Sequence, residues 1–442
     1  MVTLLQANLN MLFFKPESLA GILLLVTIVL AISHVWIPNL SLSMAGASAW
    51  LAMLLLISRL SKIQFIQSFS LLFVGLCCLL WAFLRGVGFN WGGILSSNVS
   101  LIALLAGVSF LRLVTLPKSD EAEKPLPVGS QTFLKTVLGT HLFSAVINLS
   151  ALLIVFDRLS QKKTLQRESV APLTRTFSAA AFWSPFFAAM GVALTYAPGA
   201  SLSTLVLQGL PLALIALVYT YFESGDKSTF RGYPLSIHSL WVPAVLSILV
   251  LTIHHFKPDY SVILIVAGTA LLLTLLVLFF KGLIKPDKQP VPLIQLKQHT
   301  FKELPKMSGE LTLFLTAGVL SVGLKNLLDS FNNTLPVDEF TFPIAVSSLL
   351  LMVVLAVIGI HPVISIAVMG TVLSPLLVDP NILGMLFLSV WALGVVASPL
   401  SGMNLALIGR YSLQSRQILG WHFRYLLFML SVCSTWLWIH ML

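Results

Sequence analysis

Two short segments combine proline, glycine and small polar residues inside otherwise apolar sequence: 182–191 and 398–404. Proline lacks a backbone donor and glycine departs easily from helical geometry, so both segments predict interrupted helices. Freed carbonyls at such a break suit a sodium ion, and half-helix N-termini attract an anion. A packing kink is the alternative, because Gly and Pro are common in membrane helices. The candidate binding residues here are Ser184, Pro185, Gly191, Pro399, Ser401, Gly402 and Asn404.

Two further apolar stretches, 131–156 and 341–378, carry a second set of polar residues. Their candidates are Thr140, His141, Ser144, Asn148, Ser150, Gly359, His361, Ser365, Gly370 and Thr371. Hydroxyl and amide oxygens suit a dehydrated cation or a carboxylate, and a Na⁺ ion is expected near Asn148, Ser150, Thr371 and Asn404. No other metal is expected. The alternative for each Ser or Thr is an interhelical hydrogen bond, worth ~0.6 kcal/mol on average.

His141 and His361 each follow a glycine by two residues, in Gly139-Thr140-His141 and Gly359-Ile360-His361. If both glycines break a helix, each imidazole could titrate near neutral pH and carry a coupling proton. A hydrogen-bonded spacer is the alternative. No Asp or Glu falls centrally in any apolar stretch, so coupling would rest on sodium or on histidine.

The composition predicts that these residues lie in an all-α polytopic membrane protein. The 442-residue chain is 57% hydrophobic and 10% charged, whereas soluble domains average about 25% charged residues. Its apolar runs approach the ~20 residues that a bilayer requires. The net charge of +10 comes from small basic groups between these runs, which follows the positive-inside rule and argues against a nucleic-acid partner.

One alternating path places every Lys and Arg except Arg85, Lys257 and Lys325 on the cytoplasmic side. It has about eleven crossings, with the N-terminus cytoplasmic and the C-terminus periplasmic. The stretches 131–156 and 341–378 return to their own side as re-entrant hairpins. The predicted crossings are 19–37, 41–57, 67–84, 91–111, 172–198, 201–222, 239–256, 260–280, 308–328, 381–409 and 418–441.

Short matches recur in the same order in the two halves, which predicts an inverted repeat. Ala106-Gly107-Val108 pairs with Ala317-Gly318-Val319, and the two Gly-x-His tripeptides pair with each other. Ser184-Pro185, followed by Gly191 and Gly209, pairs with Ser398-Pro399, followed by Gly402 and Gly420.

This pattern resembles the ion transporter superfamily, nearest in layout to the divalent anion:sodium symporter family. The stretch Pro399-Leu400-Ser401-Gly402-Met403-Asn404 is similar to that family's Pro-x-Gly-Thr-Pro-x-Asn turn. The family's Ser-Asn-Thr hairpin-tip motif is not matched. Asn148-Leu149-Ser150 and Gly370-Thr371 occupy roughly its places.

The resemblance implies scaffold helices in 1–111 and in 223–328, the latter with a cytoplasmic loop at 281–306. It implies a first transport unit, 112–222, with a hairpin at 131–156 and a broken helix at 172–198. A second, 329–442, would have a hairpin at 341–378 and a broken helix at 381–409. The transport units would move as an elevator in a homodimer.

The expected function is secondary active transport of a small organic or inorganic, carboxylate-like anion across the bacterial inner membrane. Coupling to Na⁺ or H⁺ is expected, with no other cofactor. A sodium/proton antiporter or an oxyanion exporter of the same superfamily is an alternative. From a different class, a membrane-embedded enzyme acting on lipid-linked substrates is disfavoured because the external loops are short and nearly featureless.

Overall fold

The computed structural model describes residues 15–37, 39–115, 125–161, 164–233, 241–284, 292–331, 339–376 and 379–442. Regular structure in these ranges is helical, apart from an isolated antiparallel bridge between Val128 and Arg231. The prediction of an all-α polytopic membrane protein is confirmed.

The helices of the described ranges are numbered in chain order. They are α1 (Pro16–Trp36), α2 (Leu42–Leu56), α3 (Lys62–Leu84), α4 (Trp91–Ser96), α5 (Val99–Ser109), α6 (Arg112–Thr115), α7 (Ser130–Ile147), α8 (Leu149–Ser160), α9 (Arg167–Ala179), α10 (Ala188–Tyr196), α11 (Leu202–Glu223), α12 (Trp241–Phe256), α13 (Val262–Ile284), α14 (Pro292–Gln298), α15 (Ser308–Ser330), α16 (Phe342–Val357), α17 (Pro362–Leu373), α18 (Pro380–Ala397), α19 (Gly402–Tyr411) and α20 (Ser415–Met441).

Eight helical stretches of the described chain are long and apolar enough to cross a bilayer. They are Pro16–Trp36, Leu42–Arg59, Lys62–Leu84, Trp91–Thr115, Leu202–Glu223, Val262–Leu283, Pro292–Ser330 and Pro380–Tyr411, and each overlaps a predicted crossing. Of the other three predictions, 172–198 is divided between α9 and α10, and 239–256 is described only from residue 241. The third, 418–441, lies in the continuous helix α20.

Serine begins several of these helices because its hydroxyl satisfies a backbone N–H that the first turn leaves unpaired. The hydroxyl accepts from a backbone N–H two or three residues later at Ser41, Ser61, Ser201 and Ser401. At Ser61 the side chain of Gln64 also bonds back to the Ser61 backbone, which completes a capping box.

The helices pack into two compact units. Unit 1 consists of Met1–Val114 and Ile248–Thr334, and unit 2 of Thr115–Ser247 and Leu335–Leu442. The chain enters unit 2 again only after residue 334, so each unit is built from two separate segments. Residues 223–233, expected with the scaffold helices, belong to unit 2. Backbone bonds from Gly129 to Phe230 and from Gly232 to Pro127 hold them to the start of α7.

One predicted crossing of unit 1, 91–111, is interrupted between α4 and α5. Asn98 has a left-handed backbone, with φ 58°, and its side-chain amide donates to the Phe314 carbonyl over 2.8 Å. Asparagine tolerates this conformation better than most residues, which permits the break. The predicted crossing 91–111 overlaps the span Trp91–Thr115, which is thus built from the helices α4, α5 and α6.

Unit 2 contains one order of elements twice. The first set is α7, α8, α9, α10 and α11, and the second is α16, α17, α18, α19 and α20. In each set two helices joined by a tight turn precede two half-helices separated by a break, and a long helix closes the set. The second arms, α8 and α17, are both 12 residues long. The recurrence matches the sequence pairing of Ser184-Pro185 with Ser398-Pro399, and the inverted orientation of the repeat stays a prediction.

Candidate functional site

Each set of unit 2 brings its tight turn against its own helix break. The turn is Asn148 in the first set and residues 358–361 in the second; the breaks are residues 183–187 and 398–401. We call these pairs the first and second junctions. Each break contains one of the predicted Ser-Pro dipeptides, and proline cannot supply the N–H that a continuous helix needs.

At the first junction, side chains bond the turn to the break. The Asn148 amide donates to the Phe186 carbonyl over 3.4 Å. The Ser184 hydroxyl donates to the Ala145 carbonyl near the end of α7 and accepts from the Phe186 N–H over 3.2 Å. Pro185, between these residues, is partly buried.

Three side-chain oxygens around the first junction are buried and have no hydrogen-bond partner in the described chain. They are Oγ of Ser144, Oδ1 of Asn148 and Oγ1 of Thr176. Buried polar atoms are normally paired, so unpaired oxygens point to a ligand that is itself a donor or a cation. Thr140 is different: its hydroxyl already donates to the Thr136 carbonyl over 2.7 Å. Ser150 is partly exposed in the first turn of α8.

Both ring nitrogens of His141 have protein partners. Nε1 of Trp183 lies 3.1 Å from Nε2 of His141, and the indole nitrogen is a donor only. Nε2 must therefore be unprotonated, and Nδ1 donates to the Thr176 carbonyl over 3.0 Å. His141 lies inside α7, with Gly139, seven residues before the turn. The prediction that Gly139 breaks a helix was wrong. The chain turns between α7 and α8 at Asn148, which has a positive φ of 50°.

At the second junction, Asn404 lies in the first turn of α19 and is buried. Its amide nitrogen donates to the Ser398 carbonyl over 2.8 Å and to the Val396 carbonyl over 3.2 Å. Its Oδ1 is buried without a partner in the described chain. Ser401 caps α19 by accepting from the Asn404 N–H over 3.2 Å. Gly402, the first residue of α19, is partly buried.

The turn of the second junction is pressed against its break. Gly359 has φ 104°, and a Cβ placed on it would lie 3.1 Å from Leu400 Cδ1 and 3.9 Å from Pro399 Cγ. The Nδ1 atom of His361 accepts from the Val363 N–H over 3.2 Å and so caps α17. Its ring lies edge-on to Trp391, with 5.6 Å between ring centroids. His361 is thus the last residue of its turn, whereas His141 lies in the helix before its turn, and the two are not equivalent.

Other predicted residues lie away from the junctions. Ser365, Gly370 and Thr371 are inside α17, where the Ser365 and Thr371 hydroxyls donate to the carbonyls of Pro362 and Ala367. The assignment of Gly370-Thr371 to a hairpin tip was wrong, because the turn occurs at residues 358–361. Gly191 lies in α10 and its carbonyl accepts from the Thr195 hydroxyl over 2.8 Å.

The two sets of unit 2 are interleaved. A Cβ on Gly370 in α17 would lie 2.8 Å from Cβ of Tyr196, the last residue of α10. In the same way Tyr411, the last residue of α19, donates to Oδ1 of Asp157 in α8 over 2.7 Å. The second arm of each helix pair therefore packs on the second half-helix of the other set.

Arg175, which the sequence analysis counted among the basic residues on the cytoplasmic side, is fully buried in α9. Its guanidinium donates to Oε2 of Glu223 over 2.6 Å, to the Trp421 carbonyl over 2.7 Å and to Nδ1 of His422 over 3.3 Å. Its Cζ also lies 5.1 Å from the ring centroid of Tyr425. A charge inside a membrane bundle must be paired in this way, and its partners could be found only from the fold.

The described residues contain no group of three or more His, Cys, Asp or Glu side chains that could hold a metal ion.

No protein-family model matches the chain, and no curated protein matches it. Among solved structures, the YdaH transporter of Alcanivorax borkumensis, described as having an unusual topology, aligns at a TM-score of 0.46 and 14% identity. The alignment covers 77% of this chain and 84% of that one. Membership of the divalent anion:sodium symporter family stays a prediction, and function is inferred from the two junctions.

Proposed function

We propose that the protein is a secondary active transporter that moves a small, carboxylate-like anion across the bacterial inner membrane, coupled to sodium. Its N-terminus is cytoplasmic and its C-terminus periplasmic. Unit 2 carries the substrate as an elevator and unit 1 forms the scaffold of a homodimer. The protein is not an enzyme, and it uses no cofactor beyond the coupling ion.

The observation that carries this proposal is the matched setting of Asn148 and Asn404. Each amide nitrogen donates to a carbonyl of its own helix break, and each amide oxygen is left buried and unpaired. Interrupted backbone is tolerated at membrane depth only where it is buried in protein or lines a cavity. Two such breaks in an internal repeat are typical of the binding sites of secondary transporters.

Sodium is favoured over a proton by the chemistry of the unpaired groups. Amide and hydroxyl oxygens are hard, neutral ligands that suit Na⁺ and do not titrate in the physiological range. The His141 ring is a poor proton carrier because a proton on Nε2 would face the Trp183 N–H. Protonation would therefore require the loss of a buried hydrogen bond.

Uptake by the purified full-length protein in proteoliposomes tests the proposal. Radiolabelled succinate, citrate and sulfate would be offered under an inward sodium gradient, a proton gradient, both or neither. The expected result is accumulation of at least one anion that depends on sodium. Uptake indifferent to both gradients contradicts coupled transport, and sodium-driven proton movement without anion flux favours the antiporter.

A further inference from the structure

The second junction holds a ring N–H donor, whereas the unpaired donors around the first junction are the hydroxyls of Ser144 and Thr176. Nδ1 of His361 accepts from the Val363 N–H over 3.2 Å, so that nitrogen carries no proton. In a neutral imidazole the proton is then on Nε2. No residue of the described chain accepts a hydrogen bond from this N–H, and the ring is partly exposed.

In the same unit, both ring nitrogens of His141 have hydrogen-bond partners. Its Nε2 accepts from Trp183 and its Nδ1 donates to a carbonyl, and the residue is only 5% exposed. Around the first junction the unpaired Oδ1 of Asn148 is an acceptor only, and the unpaired hydroxyls of Ser144 and Thr176 can accept as well as donate. The first junction is therefore rich in acceptors and suits a cation.

The turn that contains His361 packs against the second break, which precedes α19. Gly359, which lies against Leu400, is two residues before His361. Leu400 is likewise two residues before Gly402, where α19 begins. In that helix Ser401 caps only the Asn404 N–H, and the N–H groups of the first two residues of a helix have no partner within it. An anion at this place would meet Nε2–H together with the favourable end of a helix dipole.

We propose that the junctions divide the two ligands, with the coupling cation at the first and the anion at the second, where Nε2–H of His361 donates to an anionic oxygen of the substrate. This assignment rests on the proposed transport function. The unpaired Oδ1 of Asn404 is then available to a donor group on the substrate. His361 is the residue that selects for an anion.

Two substitutions of His361 distinguish its Nε2–H donor from the capping bond that its Nδ1 makes to α17. Asparagine is among the strongest N-cap residues, so His361→Asn keeps the bond to Val363 and removes the distal N–H. His361→Gln places an amide N–H near the position of Nε2 but weakens the cap. The matched pair at the first junction is His141→Asn and His141→Gln, which remove the bonds of the imidazole to Trp183 and to the Thr176 carbonyl instead.

Calorimetry would measure the binding of succinate, citrate and sulfate to detergent-purified full-length protein in saturating sodium. A second titration would measure the binding of sodium in the absence of any anion. Loss of a hydrogen bond to a charged group costs about 10- to 100-fold in affinity. We expect His361→Asn to lose that much anion affinity with unchanged sodium affinity and unfolding temperature, and His361→Gln to retain most of it. The His141 variants should lower the unfolding temperature.

Anion affinity unchanged in His361→Asn would overturn the assignment of the donor. Equal losses of sodium and anion affinity would overturn the division between junctions. If the unsubstituted protein binds no anion and takes none up, the transport proposal itself fails.

Discussion

Trp183 in the first break donates its indole N–H to Nε2 of His141 in α7 over 3.1 Å, which fixes the proton of the imidazole on Nδ1. The break is thereby tied to the first arm of its helix pair by this side-chain bond as well as by the Ser184 hydroxyl, which donates to the Ala145 carbonyl. The ring also bonds to the Thr176 carbonyl, so one histidine links α7, α9 and the break.

Trp183→Phe should destabilise the protein. The substitution leaves Nε2 of His141 as a buried acceptor without a donor, which costs about 1–3 kcal/mol. Thermal unfolding in detergent measures the effect. Trp91→Phe is the control: Trp91 is 65% exposed and stacks on Phe89, a contact that phenylalanine can keep. Equal unfolding temperatures for the two variants would show that the His141 bond contributes nothing.

Glu223→Gln should be far more damaging than Arg167→Gln, although both remove an ion pair of the same carboxylate. Arg175 is 0% exposed and would lose its counter-charge, at a cost of about 3–5 kcal/mol. The Arg167 side chain is 48% exposed, and its pair with Glu223 is worth about 0–1 kcal/mol. Denaturant or thermal unfolding compares them. Similar losses from the two substitutions would mean that Arg175 is solvated.

Gly209→Ala and Gly420→Ala should have opposite effects, although the sequence paired these glycines in its repeat. A Cβ on Gly209 would lie 1.9 Å from the Phe182 carbonyl oxygen, so α11 could not pack on the first break. We expect Gly209→Ala to lower the free energy of unfolding by about 1–3 kcal/mol or more. Nothing lies within 4 Å of a Cβ on Gly420, and alanine there gains up to about 1 kcal/mol of helix propensity. Expression yield and unfolding temperature report both effects. A neutral Gly209→Ala would contradict the close approach.

Asn148→Gly should raise stability and abolish transport. Asn148 has φ 50° and ψ −136°, a conformation that glycine adopts readily and that costs other residues about 1–3 kcal/mol. Glycine removes that strain together with the amide that the proposed sodium site requires. Unfolding temperature and sodium-dependent uptake would be measured on the same preparation, with Asn404→Ala as the counterpart at the second junction. Uptake that survives in Asn148→Gly would contradict a role for the amide in ion binding.

The helix breaks could be predicted from the sequence because they depend on local chemistry. Pro185 and Pro399 lack the N–H of a continuous helix, and each stands beside a serine whose hydroxyl bonds the freed backbone. The same reasoning failed at Gly139, because glycine permits a break but does not require one. A glycine in a packed helix is simply a small residue.

The buried charge and the true second turn could not be predicted in this way. In the sequence, Arg175 is flanked by apolar and hydroxyl residues. Its partners Trp421 and His422 are distant in the sequence, and only the fold brings them together. The second turn was sought at Gly370-Thr371 by comparison with a family motif. The glycine with positive φ is Gly359, and only contact with Leu400 and Pro399 distinguishes it from other glycines of the stretch.

The partners of Arg175 also set a timetable for biogenesis. Glu223 is synthesised 48 residues after Arg175, and Trp421 follows 246 residues after it. At ~5–20 residues per second, the guanidinium waits roughly 12 to 50 seconds for the Trp421 carbonyl. During this time α9 must remain near the water interface or bind to an insertion factor, until α20 has left the ribosome.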